Sequence, residues 1–247
     1  MALRCLGTGA NREHLEITDS AALTLPSGGW TMSCMFYPDS GVTPNTFGYM
    51  YNHGDPNISV DSASILADSG GARLLLSDLF GIEVDIISSN AYNVDQWNHV
   101  VVVSESGGFN FRVHLNGTAT TGTAVFAMGI INPTVAARIG DASFGAGREF
   151  GGRIAHVSKW DRAFSTTDAN TLSSILLSPE FLQQDHIWHI PIWNSSFNFD
   201  ILNTVTTTPS SALYGNHAPA VYPSMAAVIV DEVVIAPSGR RVQYVRA

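Results

Sequence analysis

Short apolar runs separated by turn residues dominate the chain. Trp30 to Tyr37 predicts a strand that ends at Pro38. Arg73 to Leu76 and Gly81 to Ile87 predict a strand pair around a turn near Ser77 and Asp78. Trp97 to Ser104 is rich in valine and predicts a buried strand. Phe109, Phe111, Val113 and Leu115 alternate with Asn110, Arg112 and His114, the pattern of a half-buried strand. The Asn116-Gly117 pair that follows is a hairpin turn signal. Ala136 to Gly140 and Gly152 to Trp160 predict two more strands. One helix is predicted, Ser165 to Leu177, with Ser165 or Thr166 as N-cap and Asp168 in the first turn. Ile187 to Trp193 reads as a strand returning to the same core. Asn203 to Ser211, rich in threonine, serine and proline, reads as a loop. Many short strands and one helix predict an all-β fold, a two-sheet antiparallel sandwich or jelly roll, over residues 1–200. Residues 201–247 then form a linker and an extended C-terminal arm, with apolar runs at Ala220 to Tyr222, Ala226 to Ile235 and Val242 to Val245. The arm is expected to pack on the sandwich or on a neighbour's sheet edge.

Composition narrows the function classes. The chain has 247 residues, of which 45% are hydrophobic and 13% charged, with 22 glycines and 11 prolines. That is enough to bury a large core and too apolar for disorder. Net charge is −9 and Lys159 is the one lysine. An acidic surface cannot neutralise phosphates, so no nucleic-acid partner is expected. No run reaches the ~20 apolar residues of a membrane span, so no membrane partner is expected either. Cys5 and Cys34 are too few for a disulfide framework and read as buried apolar residues. The first residues lack the apolar run of a signal peptide, so synthesis in the cytoplasm is expected.

Several segments, in order, resemble one family. They are Leu15 to Pro38; Trp97-Asn98-His99-Val100 through Val113-His114-Leu115-Asn116-Gly117; Arg138-Ile139-Gly140-Asp141; Phe150-Gly151-Gly152-Arg153-Ile154; and Lys159-Trp160-Asp161-Arg162-Ala163-Phe164-Ser165. Together they resemble the laminin-G-like jelly rolls of the concanavalin A-like lectin/glucanase superfamily, over roughly residues 10 to 180. The residues that carry the resemblance have structural readings of their own. Trp97 packs in the core, Trp160 covers a core edge, Gly117 suits a type I′ turn, and Gly140 and Gly151 allow close approach.

The resemblance also supplies an enzymatic test. Some glucanases of the superfamily carry an E-x-D-x-x-E strand. Here the segment is Glu83-Val84-Asp85-Ile86-Ile87-Ser88, and Ser88 stands where the acid/base would be. A retaining glycosidase needs two carboxyls about 5–5.5 Å apart. Alternation places Glu83 and Asp85 on one strand face, and no enzyme is expected. The resemblance implies calcium in a loop, for which Asp55, Asn57 and Asp61 are the candidate ligands, with Asp141 a further one. Without it, these are solvated turn residues, and no other cofactor is expected. His186 and His189 are the closest histidine pair, but on a strand their spacing sends them to opposite faces. No zinc spacing, no G-x-S-x-G elbow and no phosphate loop is present. Tyr37, Phe47, Tyr49 and Tyr51, with Trp188 and Trp193, form a candidate sugar-stacking set, set against a core role.

Two non-catalytic functions remain. A sandwich with a strand-and-proline arm resembles, in style, bacteriophage virion proteins. On that reading the chain is a capsid decoration protein that binds a major capsid or other virion protein. It would form a homo-oligomer, a trimer by preference, through Val228, Ile229, Val230, Val233, Val234, Ile235 and Tyr244. The alternative is a glycan-binding, lectin-like module for a surface glycan, with calcium as a possible requirement. A degenerate glucanase ranks third.

Overall fold

The computed structural model describes residues 2–6, 14–41, 47–55, 61–68, 71–78, 81–124, 126–142, 144, 148–174, 184–190, 192, 204–210 and 213–215. In chain order the strands are β1 (Ala2–Leu6), β2 (His14–Ile17), β3 (Trp30–Pro38), β4 (Phe47–His53), β5 (Ser62–Asp68), β6 (Gly71–Asp78), β7 (Gly81–Ile87), β8 (Asn98–Ser104), β9 (Asn110–Leu115), β10 (Thr118–Thr123), β11 (Ala137–Ile139), β12 (Gly151–Trp160), β13 (His186–Ile190), β14 (Thr207–Ser210) and β15 (Leu213–Gly215). One α-helix, α1 (Thr166–Ser174), follows β12. Sheet A runs β10-β9-β8-β3-β12-β1-β15, with β13 also paired to β12; sheet B runs β14-β2-β11-β4-β5-β6-β7. All the strand pairings between these elements are antiparallel.

The inner faces of the two sheets supply one core. Met32, Cys34 and Phe36 of β3 meet Val100 and Val102 of β8, Ile65 of β5 and Leu74 of β6 there. Val101 and Val103 point the other way and form a second cluster with Trp160, Phe164, Ala169 and Leu172. The helix thus covers the outer face of sheet A at β8. A strand buried on both faces needs no polar alternation, which explains the unbroken valine run. Helix α1 starts where the sequence signals it: the Asp168 N–H donates to Ser165 Oγ at 3.1 Å, and Ser165 Oγ–H donates to the Asp168 carboxylate at 2.9 Å. The Asn116-Gly117 turn has positive φ at both residues, 49° and 82°, as a type I′ hairpin requires.

Several expectations are corrected. Asn203 to Ser211 is not simply a loop, because Thr207–Ser210 pairs with β2. Trp97 does not enter the core; it is half-buried on the outer face of sheet A beside Met35 and Ala155. Trp160 is fully buried beneath α1 rather than at a core edge. Beside Gly151, Gly152 has no room for a side chain: a Cβ there would lie 2.0 Å from the Tyr37 carbonyl oxygen. Cys5 and Cys34 are buried, and neither is in a disulfide. They lie on β1 and β3 with β12 between them. Two strand spacings amount to about 9–10 Å, beyond disulfide reach.

Lys159 is 1% exposed and donates from Nζ to Asp161 Oδ1 at 2.5 Å. Its register partners are Met32 and Trp188. Burial lowers its pKa, opposed by Asp161. A lysine-directed acylating reagent is expected to leave Lys159 unmodified in the native protein and to modify it in denaturant. Peptide mass spectrometry reads the result, and modification at the rate of a free lysine would place the ammonium at the surface.

Candidate functional site

The outer face of sheet B gathers aromatic and charged side chains above an apolar floor. Tyr49, Leu66, Leu75 and Ala142 are buried there, with Phe47 and Phe144 half-buried beside them. The Tyr49 and Phe144 rings meet edge to face at 5.6 Å. Arg73 and Arg148 place their guanidinium carbons 5.4 Å and 5.3 Å from the Phe47 centroid, and Arg148 lies 5.9 Å from that of Phe144. These are cation–π distances.

The two arginines differ in charge balance. Arg73 Nε and Nη2 donate to the two oxygens of Asp85 at 2.7 Å and 2.6 Å, and Nη1 donates to Asp68 at 2.5 Å. The Asp85 hydrogen bond raises the Arg73 pKa further. Arg148 makes no ion pair among the described residues. Burial raises the Tyr49 pKa, and the nearby Arg148 opposes that shift.

A bulge decides which aromatics reach this face. The β4–β5 register shifts between Tyr49 and Tyr51. Tyr49 therefore faces outward, while Tyr51 enters the core against Trp188 at 6.1 Å. The expected Tyr37, Phe47, Tyr49 and Tyr51 set is accordingly split. Phe47 and Tyr49 share the outer face of sheet B. Tyr37 lies on sheet A, packed on Trp97 at 5.7 Å with Arg153 over its ring at 4.4 Å. Trp188 belongs to the core, and Trp193 lies outside the described residues.

A second bulge falls on the glucanase-like segment. The β6–β7 register pairs Val84 with Leu76 and Ile82 with Ser77, leaving Glu83 as the extra residue. Asp85 is clamped by Arg73. Ser88 Oγ accepts from the Ala72 N–H at 3.0 Å and donates to the Asn90 carbonyl at 2.8 Å.

Of the expected calcium ligands, Asp61 accepts the Asn132 N–H at 3.0 Å, Asp55 is half-buried, and Asn57 lies outside the described residues. Asp141 is buried, accepts the Ala142 N–H at 2.7 Å and lies 3.6 Å from Arg138. Among the described residues no three His, Cys, Asp or Glu side chains gather closely enough to hold a metal ion. The expectation for His186 and His189 is corrected: their rings stack at 5.8 Å. The β12–β13 register skips Ile187 between Trp188 and His186, and that irregularity turns His186 to the His189 side. His156 Nδ1 lies 3.1 Å from His189 Nε2. No described helix is long and apolar enough to cross a membrane. The assembly candidates Val228, Ile229, Val230, Val233, Val234, Ile235 and Tyr244 lie outside the described residues.

Sequence reasoning missed Arg73, Phe144 and Arg148. The turn-rich stretch from Asp141 to Phe150 has no periodicity to show that it folds over a sheet face.

Comparisons with known proteins agree with this architecture. A family profile described as "Concanavalin A-like lectin/glucanases superfamily" matches residues 9–170. No curated protein matches the chain. Among solved structures, the chain is similar to a proposed carbohydrate-binding protein from Bacteroides ovatus, with a TM-score of 0.63 and 11% identity, covering 85% of this chain and 59% of that one. It is also similar to the heptameric SAP-like pentraxin of Limulus polyphemus, with a TM-score of 0.54, 20% identity, and coverage of 70% and 81%. A third is the CBM40 of a Ruminococcus gnavus IT-sialidase, solved with α2,3 sialyllactose, with a TM-score of 0.50, 13% identity, and coverage of 67% and 96%.

Proposed function

The chain belongs to the concanavalin A-like lectin/glucanases superfamily, and from that membership we propose that it is a non-catalytic, glycan-binding module. The observation that carries this reading is the outer face of sheet B, where half-buried Phe47 and Phe144 lie under the guanidinium of Arg148. Aromatic rings beside fixed polar groups suit sugars, which offer apolar C–H faces and polar hydroxyls together. The named relatives bind or are thought to bind carbohydrate in two of three cases. The absence of catalysis is part of the proposal. Asp85 is held by Arg73, and Ser88 is committed to backbone hydrogen bonds.

A glycan array run on the full chain tests this. At least one glycan class should bind, and Phe47→Ala and Arg148→Ala should each weaken it about tenfold or more, or about 1.4 kcal/mol. A flat array sinks the proposal. Repeating the array with a chelator decides whether calcium takes part.

The second reading is a virion protein that decorates a capsid, joined to its partners through residues 218–247. It rests on the sequence of that segment, and the named relatives favour the glycan reading. Deleting 218–247 should abolish oligomer formation and particle binding. An unchanged oligomer by light scattering, with unchanged particle binding, would remove it.

A further inference from the structure

The outer face of sheet A carries ionisable side chains beneath α1. Alternation puts His99, Val101 and Val103 of β8 on that face. The β8–β9 register sets His114 opposite Val101 and Arg112 opposite Val103, so these two share it. The helix seals them in. Ala169 and Leu172 pack with Phe164 and Trp160 on the two valines. His114 Nδ1–H donates to Asn170 Oδ1 at 2.7 Å, the Gly117 N–H donates to Ser173 Oγ at 3.1 Å, and Arg112 Nη2 donates to the Phe164 carbonyl at 2.7 Å. His99 and His114 are both fully buried.

Neither ring has a place for a second proton. His114 spends its one N–H on Asn170, and its Nε2 is buried without a hydrogen-bond partner. Neither nitrogen of His99 makes a hydrogen bond; the Leu172 carbonyl faces that ring from the last turn of α1. A helix C-terminus favours a cation, so this carbonyl pulls toward protonation. Burial outweighs it and holds His99 down at about 3. Burial is also the main cause of the lowered pKa at His114, where the Asn170 bond opposes it and Arg112 adds to it. The other charged groups of the packed elements are engaged elsewhere. Glu105 lies 3.3 Å from Arg112, and Asp168 bonds Ser165 at the helix start. Arg162 lies over the Phe164 ring, and Lys159 pairs with Asp161. Further along the face, His186 of β13 stacks on Trp160 at 4.5 Å, with His189 and His156 beyond it. Thr31, Ser33 and Met35 of β3, opposite Val103, Val101 and His99, do not titrate.

We propose that α1 is an acid-released cover: proton uptake by His99 and His114 lifts it off sheet A while both sheets stay paired. The helix is the separable part. Its 9 residues are too few to hold a helix in water alone, so its helicity depends on this face. The backbone of β8 is paired on both sides, to β3 and to β9, and keeps those bonds without α1. Opening the helix wets the two rings and leaves the ladder intact, a local opening that costs less than unfolding. The closed form refuses a proton that the open form accepts near the ordinary value of 6.5. The opening constant therefore rises about tenfold per pH unit below that value for each ring. Through His99 alone the rise is about thirtyfold from about pH 6.5 to about pH 5. The Phe47 face, on sheet B, takes no part.

The test is hydrogen-exchange mass spectrometry of the full chain at about pH 7.5, 6.5, 5.5 and 5, corrected for intrinsic exchange. Amides of Thr166–Ser174 should lose protection about thirtyfold or more between about pH 6.5 and about pH 5. At the lower pH they should exchange at least about tenfold ahead of those of Trp30–Pro38 and Ser62–Asp68. His99→Gln should take about one proton from the pH slope of α1, and His114→Gln part of one. His53→Gln, on sheet B, should leave that slope as it is. A helix equally protected at every pH overturns the proposal. So does exchange of α1 in step with both strands, which is whole-domain unfolding, or a slope that His53→Gln lowers as much as His99→Gln does. The parent protein alone decides the first two outcomes, so a histidine variant that fails to fold leaves the test standing.

Discussion

Lowering the pH from about 6.5 to about 5 is expected to remove about 4 kcal/mol of folding stability, through the buried histidines. Burial pushes His99 and His189 from 6.5 down to about 3. His186 adds to the shift at His189. Both rings are fully buried in the fold. The sign follows from the unfolded chain. Above pH 6.5 both states hold the rings neutral, and stability is unaffected. Below it the unfolded chain takes up protons that the folded chain refuses, down to about pH 3. Each ring then costs about 1.4 kcal/mol per pH unit, or roughly 2 kcal/mol at about pH 5. His53 and His114 are lowered in the same direction, mainly by burial, and add to the loss. The total is a large share of the 5–15 kcal/mol typical of a folded domain. Denaturant unfolding at about pH 7.5, 6.5, 5.5 and 4.5 measures it. His99→Gln should flatten the slope by about one proton. A stability constant from about pH 7 to 5 would show that these rings are not sealed from solvent.

The same histidines show what the sequence could and could not reveal. His99 and His114 stand in strands that were legible from the valine run and the Phe109 to Leu115 alternation. Their burial was not legible, because it depends on α1 folding back over the outer face of sheet A. The hairpin at Asn116-Gly117 and the cap at Ser165 were readable, since each rests on residues adjacent in the chain. Phe47–His53 and Ser62–Asp68 were not predicted as strands, because glycine, asparagine, serine and aspartate break their apolar pattern. The polar strand Thr118–Thr123 escaped for the same reason. Bulges account for the errors of facing. One at Tyr49–Tyr51 separates two aromatics that alternation would keep together, and one beside Trp188 unites two histidines that alternation would part. A one-residue irregularity is invisible to period-2 reasoning, yet it reassigns every side chain beyond it.

Gly152→Ala is expected to be the most damaging single substitution in the central strands. Gly152 lies on β12, paired with Pro38 of β3 on one side and Cys5 of β1 on the other. Its φ is 151°, and a Cβ would sit 2.0 Å from the Tyr37 carbonyl oxygen and 2.9 Å from the Phe150 ring. The carbonyl cannot move without opening β3 from β12. Phe150 cannot retreat freely either, because it packs edge to face on Phe36 at 6.0 Å. Backbone strain and overpacking therefore act together at one position. The expected cost exceeds about 4 kcal/mol, a fall in melting temperature of about 10 °C or more. Gly28→Ala is the control: a Cβ there meets nothing within 4 Å, and its φ is not positive. It should change stability by no more than about 0.5 kcal/mol. If Gly152→Ala melted within a degree or two of the parent, β12 and β3 could not be as closely paired at this point as the structure has them. The Phe47 face would be a second readout. It stands on sheet B, and Phe150 reaches it by lining Gly48, with ring and backbone atoms 3.2 Å and 3.3 Å from the place of its missing Cβ. Glycan binding should therefore fall with Gly152→Ala through loss of folding, and stay unchanged with Gly28→Ala.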